Sequence, residues 1–309
     1  MILEQGSTEK VLCDPYIYTH NAVERLYNEY KKYGSIIIAF DFDYTVHNFK
    51  DEQWRYDSVI NLLRAWQPYA CSDLHGRLDL VHKIQQFLKP DDIVYFLGDA
   101  GDRGPEPWKT IKAIVKDKRF IYLKGNHEDM LIKAMEDEIR EECRGHNYTL
   151  LVYNGGGDTF LQWQQEEQKT GWWHYLKDLP TYKKYVNKSG VTIHLSHAGF
   201  NPQEYDAIPE DEDLLWGRDH FFTEHPIFED NEICVHGHTP IPLLIQETTW
   251  RDKSVPQWLG NAYWYGDAHK VDLDCGSWYT DRAILLDLDT FEEIPIIADD
   301  AIDLTKEVL

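Results

Sequence analysis

Five short segments of the chain set side chains able to bind metal or move protons beside glycine. They are Ser72-Asp73-Leu74-His75-Gly76, Gly98-Asp99-Ala100-Gly101-Asp102-Arg103-Gly104, Gly125-Asn126-His127-Glu128, Ser196-His197-Ala198-Gly199 and His236-Gly237-His238-Thr239-Pro240. Carboxylates and imidazoles with one carboxamide suit borderline divalent metals such as manganese, iron or zinc better than calcium. The glycines let the backbone turn sharply and let a substrate approach closely. Taken singly, an Asp or His at such a place reads equally well as an ordinary turn-former. Five in one chain would require five coincidences.

Each segment follows an apolar run that reads as a strand. From Tyr69 onward YACSD, IVYFLGD and FIYLKGN alternate with helical patterns at Arg77 to Leu88, Glu106 to Val115 and Glu128 to Met135, which predicts a parallel β-α-β half. A Trp-rich, helical insertion from Asp158 to Leu179 follows, and then TYKKYVN, VTIHLSHAG, EICVHGH, KVDLDCG, RAILLDL and IPII, which suggest two sheets packed together. Open α/β sheets place ligands at the carboxyl ends of their strands, so these side chains are expected to converge on one site. His194, three residues before His197, alternates to the other face of its strand and reads as a structural histidine.

In kind and order the five segments resemble the signature of the calcineurin-like metallophosphoesterases, and within them the phosphoprotein phosphatase branch with its DxHG, GDxxDRG, GNHE, H and H pattern. The resemblance spans about Tyr69 to Asp289. It implies a four-layer α/β/β/α sandwich of two mixed sheets and two divalent metal ions, manganese first, with iron and zinc as the other options. On this resemblance Asp73 and His75 hold the first metal, Asp99 bridges both, and Asn126, His197 and His238 complete the second. A metal-bridging hydroxide would attack phosphorus directly, without a covalent enzyme intermediate. His127 would protonate the leaving oxygen, Asp102 would orient its ring, and Arg103 would grip the phosphate. Leu214-Leu215-Trp216-Gly217-Arg218-Asp219 looks like the LLWxR segment of bacterial members and makes Arg218 a second phosphate-binding arginine. Two departures stand out: Ser72 replaces a usual Gly, a change expected to be harmless, and the last motif is GHTP, so His236 is read as a strand histidine and not as a ligand.

The character of the chain changes near Gln67-Pro68. Residues 1–67 read as an α-β-α appendage, with helices at Asn21 to Tyr33 and Tyr56 to Trp66 around a strand from Ser35 to Phe42. Asp41-Phe42-Asp43-Tyr44-Thr45 looks like the DxDxT start of the haloacid dehalogenase superfamily, yet too little chain follows to supply the rest of that chemistry. The unit is expected to be truncated and without an active site of its own, beside a phosphoesterase domain at 68–298 and a tail at 299–309.

With 31 Lys+Arg against 54 Asp+Glu over 309 residues, the formal charge is −23, which excludes nonspecific grip on nucleic acid. The chain shows neither a basic-then-apolar leader nor an apolar stretch of membrane-spanning length, so a cytoplasmic protein without membrane partners is expected. Five scattered cysteines without CxxC pairing read as reduced structural thiols.

The substrate is set by loops. The resemblance implies a serine/threonine protein phosphatase, with phosphotyrosine as a further option and a bis(5'-nucleosyl)-tetraphosphatase as the alternative. The partner is therefore a phosphorylated protein or a small phosphorylated molecule. The aromatic stretches 161–175 and 250–265 would either stack on a nucleobase or cover the edge of a large sheet, and the second reading is preferred. A non-catalytic metal-binding module is disfavoured, because His127, Asp102 and Arg103 accompany the full ligand set.

Overall fold

The computed structural model describes residues 67–140, 145–200, 209–222, 231–244, 260–299 and 301. The expected N-terminal appendage with Asp41, most of the 250–265 stretch, Cys13, Cys143 and the end of the tail lie outside these residues. The chain divides into two compact units. Of the smaller one only Tyr185–Val191 is described, in which Asn187 Oδ1 accepts from the Ser189 and Val191 amides, both at 2.9 Å.

The described strands form two five-stranded mixed sheets, the expected α/β sandwich architecture. In the first sheet β1 (Pro68–Cys71), β2 (Ile93–Phe96) and β3 (Phe120–Tyr122) run parallel, and β9 (Arg282–Asp287) and β10 (Glu293–Ile297) add antiparallel strands, giving the order β10-β9-β1-β2-β3. In the second, β5 (Thr192–Ser196), β6 (Glu232–His236) and β8 (Lys270–Asp272) are parallel, flanked by β4 (Tyr182–Val186) and by antiparallel β7 (Tyr263–Tyr265). Every residue of β5 and β9 is buried, as strands covered on both faces must be.

Helices α1 (Leu78–Phe87) and α2 (Pro107–Lys116) cross between the parallel strands of the first sheet. Pro107 opens α2, where its missing N–H is no loss, and the helix buries Trp108, Ile111 and Ile114 at helical spacing. Helix α3 (Asn126–Ile139) starts directly at the third motif, earlier and longer than the sequence pattern suggests. Helices α4 (His146–Tyr153), α5 (Gly157–Trp163) and α6 (Lys169–Lys177) follow it. The Trp-rich insertion is core cover. Trp163 is fully buried, its Nε1 donates to the Lys169 carbonyl at 3.2 Å, and Trp172 meets Trp108 edge-on at 5.1 Å. Among the described residues Cys71, Cys234 and Cys275 are free and buried, and no helix is long and apolar enough to cross a membrane.

Behind the second sheet's strand ends lies a buried polar cluster of His220, His236 and Lys270. Burial pushes the His220 ring down to about 4 against an ordinary 6.5. Between those two pH values the unfolded chain takes up a proton that the folded chain refuses, so this ring's contribution is whole above pH 6.5 and is lost as pH falls toward 4. The loss should reach on the order of 3 kcal/mol. Urea unfolding at pH 7 and pH 5 should show a lower midpoint at pH 5, and His220→Gln should shrink that difference; an unchanged difference would place the acid sensitivity elsewhere.

Candidate metal centre

The chain turns abruptly at each motif. Asp73, His75, Asp99, Asp102, Arg103 and His238 all adopt positive φ, between 40° and 73°, which is rare for residues with side chains and marks strain held by the surrounding fold. Gly98, at φ +100°, packs so close that an added Cβ would lie 2.5 Å from the Gly125 backbone, and a Cβ on Gly125 would lie 2.1 Å from Asp99 Oδ1. Glycine at these two places allows the second and third motifs to touch.

The first two turns are stitched together by backbone bonds, with Asp73 N donating to the Gly98 carbonyl at 3.1 Å and His75 N to the Asp99 carbonyl at 3.0 Å. The Glu128 carboxylate does more. It accepts from the amides of Asp99 (2.7 Å), Ala100 (3.0 Å) and Gly125 (2.9 Å) and from the Tyr122 hydroxyl (2.7 Å), so one buried anion clamps the Asp99 turn to the start of α3. The sequence reading gave Glu128 no role, although an acid at the third position of a helix that caps its own N-terminus is a readable signal. In Glu128→Gln an amide NH2 must face one of these N–H donors. Its manganese affinity, measured by titration calorimetry, should fall by about 10- to 100-fold, the cost typical of a partner that orients a ligand; unchanged affinity would show that the turns hold themselves.

The predicted side chains meet. His75 Nε2 lies 3.8 Å from Asp73 Oδ1 and 3.6 Å from Asp99 Oδ2, and His197 Nε2 lies 3.5 Å from that same Asp99 oxygen. Asn126 Oδ1 is 2.8 Å from His197 Nε2 and 3.1 Å from His238 Nδ1, and the two ring nitrogens are 3.2 Å apart. His197 Nδ1 donates to the Leu97 carbonyl at 2.8 Å, which leaves the lone pair of its Nε2 aimed at the Asn126 oxygen and His238 Nδ1. In the neutral His197 ring this lone pair opposes the Asn126 oxygen at 2.8 Å, an opposition that a cation between them would relieve.

All of these groups are buried. Asp73 Oδ2 accepts from the His238 amide at 2.9 Å and from the Ser72 hydroxyl, while Asp73 Oδ1 and His238 Nε2 are buried without a hydrogen-bond partner. Ser72 therefore does more than fill the place of a glycine, since it braces a candidate ligand. Burial pushes the Asp99 carboxyl well above its usual range, with Asp73 and Glu128 adding to the effect, and burial likewise raises Asp73. Two further acids, Asp272 and Asp274, sit within electrostatic reach of Asp73, and burial raises both carboxyls well above the ordinary range. Beside His197, Arg103 and Arg218 are the basic side chains these acids feel; the acids outnumber the guanidiniums, and bound divalent cations would favour the charged form that burial opposes. An orphaned carboxylate oxygen, an imidazole lone pair facing the Asn126 oxygen and acids in excess of guanidiniums all fit a dinuclear metal centre. Asp272 and Asp274 went unassigned in the sequence reading, although KVDLDCG ends a strand in acid and glycine as the other motifs do.

Two triplets of donor atoms stand close enough to share an ion: Asp73, Asp99 and His197, and His75, Asp99 and His127. Asp99 belongs to both. His127 is thus near the donors, with Nε2 3.8 Å from Asp99 Oδ2, but its other nitrogen is engaged. Nδ1 lies 2.6 Å from Asp102 Oδ2, and Arg103 Nη2 approaches Nε2 to 2.8 Å while Arg103 Nη1 approaches His75 Nε2 to 2.9 Å. A guanidinium only donates, so both Nε2 atoms accept, the His127 proton sits on Nδ1, and Asp102 receives it as a carboxylate. Thr159 donates to the other Asp102 oxygen. Burial pushes Asp102 up to about 7, with Thr159 and Arg103 opposing, and burial with Arg103 alongside holds His127 well below the usual imidazole range.

Arg218 is exposed and its Nε donates to Thr239 Oγ1 at 3.2 Å, while Trp216 meets the His238 ring edge-on at 6.0 Å. His194 lies apart from the cluster, buried beside Tyr182, whose hydroxyl is 2.8 Å from its Nδ1.

Residues 69–279 match the family model described as calcineurin-like phosphoesterase. No curated protein sequence matches the chain. Among solved structures it is similar to a protein assigned as a diadenosine tetraphosphatase, with 16% identity over 74% of this chain and 92% of that one and a TM-score of 0.49. A Saccharomyces cerevisiae protein serine/threonine phosphatase shows 13% identity over 92% and 98%, with a TM-score of 0.47. A cold-active protein-tyrosine phosphatase of a psychrophilic Shewanella species shows 17% identity over 75% and 78%, with a TM-score of 0.44.

Proposed function

The chain belongs to the calcineurin-like phosphoesterase family and is a phosphoric ester hydrolase; on that footing we propose that it is a protein phosphatase acting on phosphoserine and phosphothreonine, with phosphotyrosine a further substrate. The observation that carries the proposal is the gathering of Asp73, His75, Asp99, Asn126, His197 and His238 beside the His127–Asp102 pair. Asp73, His75 and Asp99 would hold one divalent cation, and Asp99, Asn126, His197 and His238 the other; manganese fits the mixed donor set, as do iron and zinc. Bound there, the two ions supply Lewis-acid polarisation of the phosphoryl group and activation of water.

The chain's own groups do the rest. The Arg103 fork, now on two imidazole nitrogens, is placed to exchange them for phosphate oxygens, and Arg218 offers a second fork from the opposite motif. His127 Nε2, which carries no proton while it accepts from Arg103, would take one up once that fork turns to the phosphate and would pass it to the departing oxygen. Asp102 keeps that ring oriented and favours its cationic form, and Thr159 keeps Asp102 in place.

Burial of Trp163 and the Trp108–Trp172 contact support the protein phosphatase reading, because these rings are spent on the core, although Tyr175 in the same stretch is 42% exposed. One observation favours the dinucleoside tetraphosphatase reading instead. Trp278 and Tyr279 are 43% and 41% exposed, and Tyr279 lies within electrostatic reach of Arg103 and Asp274. A side-by-side rate comparison on phosphopeptides and diadenosine tetraphosphate with manganese separates them: faster phosphopeptide hydrolysis supports the proposal, and the reverse order supports the second reading. The net charge of −23 adds the expectation that basic phosphopeptides outrun acidic ones at low salt.

A further inference from the structure

We infer that Tyr265 is a positioning residue whose hydroxyl pins together the two turns that present His197 and His238. The hydroxyl lies 2.6 Å from His220 Nδ1 and 2.6 Å from His236 Nε2. His220 Nε2 reaches the carbonyl of Ala198, which follows His197, at 2.6 Å. His236 stands one residue before Gly237 and two before His238. A His–Tyr–His bridge therefore spans from the end of β5 to the end of β6, alongside the direct bond from Gly237 N to the His197 carbonyl at 2.8 Å.

The direction of every bond in the bridge follows from proton counting with neutral rings. A carbonyl cannot donate, so His220 carries its proton on Nε2 and offers a bare Nδ1. Tyr265 must donate to that Nδ1. Its oxygen then accepts from His236, whose proton sits on Nε2, so the 3.0 Å approach of His236 Nδ1 to the Gly237 carbonyl is a contact and not a hydrogen bond. Supports surround the bridge. Lys270 Nζ donates to the His220 carbonyl at 2.9 Å, Phe221 stacks on Tyr265 at 4.8 Å, and the ring of His220 meets His236 edge-on at 4.9 Å. Gly199, at φ +76°, leaves room for the pair, since a Cβ there would lie 2.9 Å from the His236 ring. Aromatic residue 265, which sequence alone leaves between base-stacking and sheet cover, thus serves the centre from behind.

The inference rests on the metal-centre reading, so its test has two arms. Tyr265→Phe keeps the ring stack and deletes the hydroxyl, leaving His220 Nδ1 and His236 Nε2 buried without their partner. Titration calorimetry with manganese should show about tenfold weaker binding than wild type, with kcat on p-nitrophenyl phosphate reduced alike and KM within twofold. Affinity and kcat both within twofold of wild type would overturn the inference, even if the variant melts earlier, because that is the signature of a role in stability alone. The second arm reads the ring-nitrogen NMR shifts of wild-type protein, in which His220 and His236 should both be Nε2–H tautomers; an Nδ1–H form of either would overturn it. If wild type bound no manganese, the metal-centre reading would fail while the NMR arm still judged the bridge.

Discussion

Asp99→Asn should abolish phosphatase activity, lowering kcat by about 10³- to 10⁴-fold, while the protein stays folded. The expectation comes from the place of this carboxylate. One oxygen accepts the His127 amide at 3.0 Å, and the other stands 3.6 Å from His75 Nε2 and 3.5 Å from His197 Nε2, so it is the donor common to both halves of the centre. Asparagine keeps the shape and can keep the amide bond, but it removes the negative charge that two cations would share. Losing several kcal/mol of electrostatic stabilisation at about 1.36 kcal/mol per tenfold gives the stated range. Asp41→Asn is the control. Asp41 lies outside the described residues, and on the reading that its DxDxT segment is catalytically silent the variant should keep nearly full activity. An active Asp99→Asn protein beside a dead Asp41→Asn protein would transfer the chemistry to the N-terminal segment.

Asp102→Asn should produce the second large loss, and its size should depend on the substrate. An amide NH2 at this position faces His127 Nδ1, so the ring proton must move to Nε2, and the charge that favours the cationic ring is gone. With a phosphoserine peptide, whose alkoxide leaves only when protonated, kcat should fall by about 10²- to 10⁴-fold. With p-nitrophenyl phosphate, whose leaving group needs no proton, the fall should be far smaller. Equal losses on both substrates would mean that the pair supports the fold of the centre and does not deliver a proton. His127→Asn should show the same contrast.

Much of this was legible in the sequence, because metal-binding and proton-moving side chains at strand ends carry their own signal. The parallel run β1-β2-β3 and the convergence of the five motifs follow from apolar runs that stop at acid or histidine beside glycine. What the sequence left out are the residues that brace these groups through contacts distant in the chain. Thr159 reaches Asp102 from α5 across 57 positions, and no local pattern marks it. Tyr265 sits on a three-residue strand, too short for periodicity to distinguish from a loop. Helix α7 (Asp211–Trp216) has only six residues, and the LLWGR resemblance points to Arg218, just past its end, without revealing the helix that carries Leu214 to Trp216. The antiparallel β9 and β10 were visible as strands, but their addition to the first sheet is a matter of long-range pairing.

The most direct test of the account is the electron paramagnetic resonance of manganese-loaded wild-type protein, combined with a count of bound ions. Two ions per chain with a spin-coupled signal, collapsing to an uncoupled signal or to lost metal in Asp99→Asn, is the predicted result. One isolated ion per chain, or a coupled pair that survives Asp99→Asn intact, would contradict the claim that this carboxylate joins two cation sites.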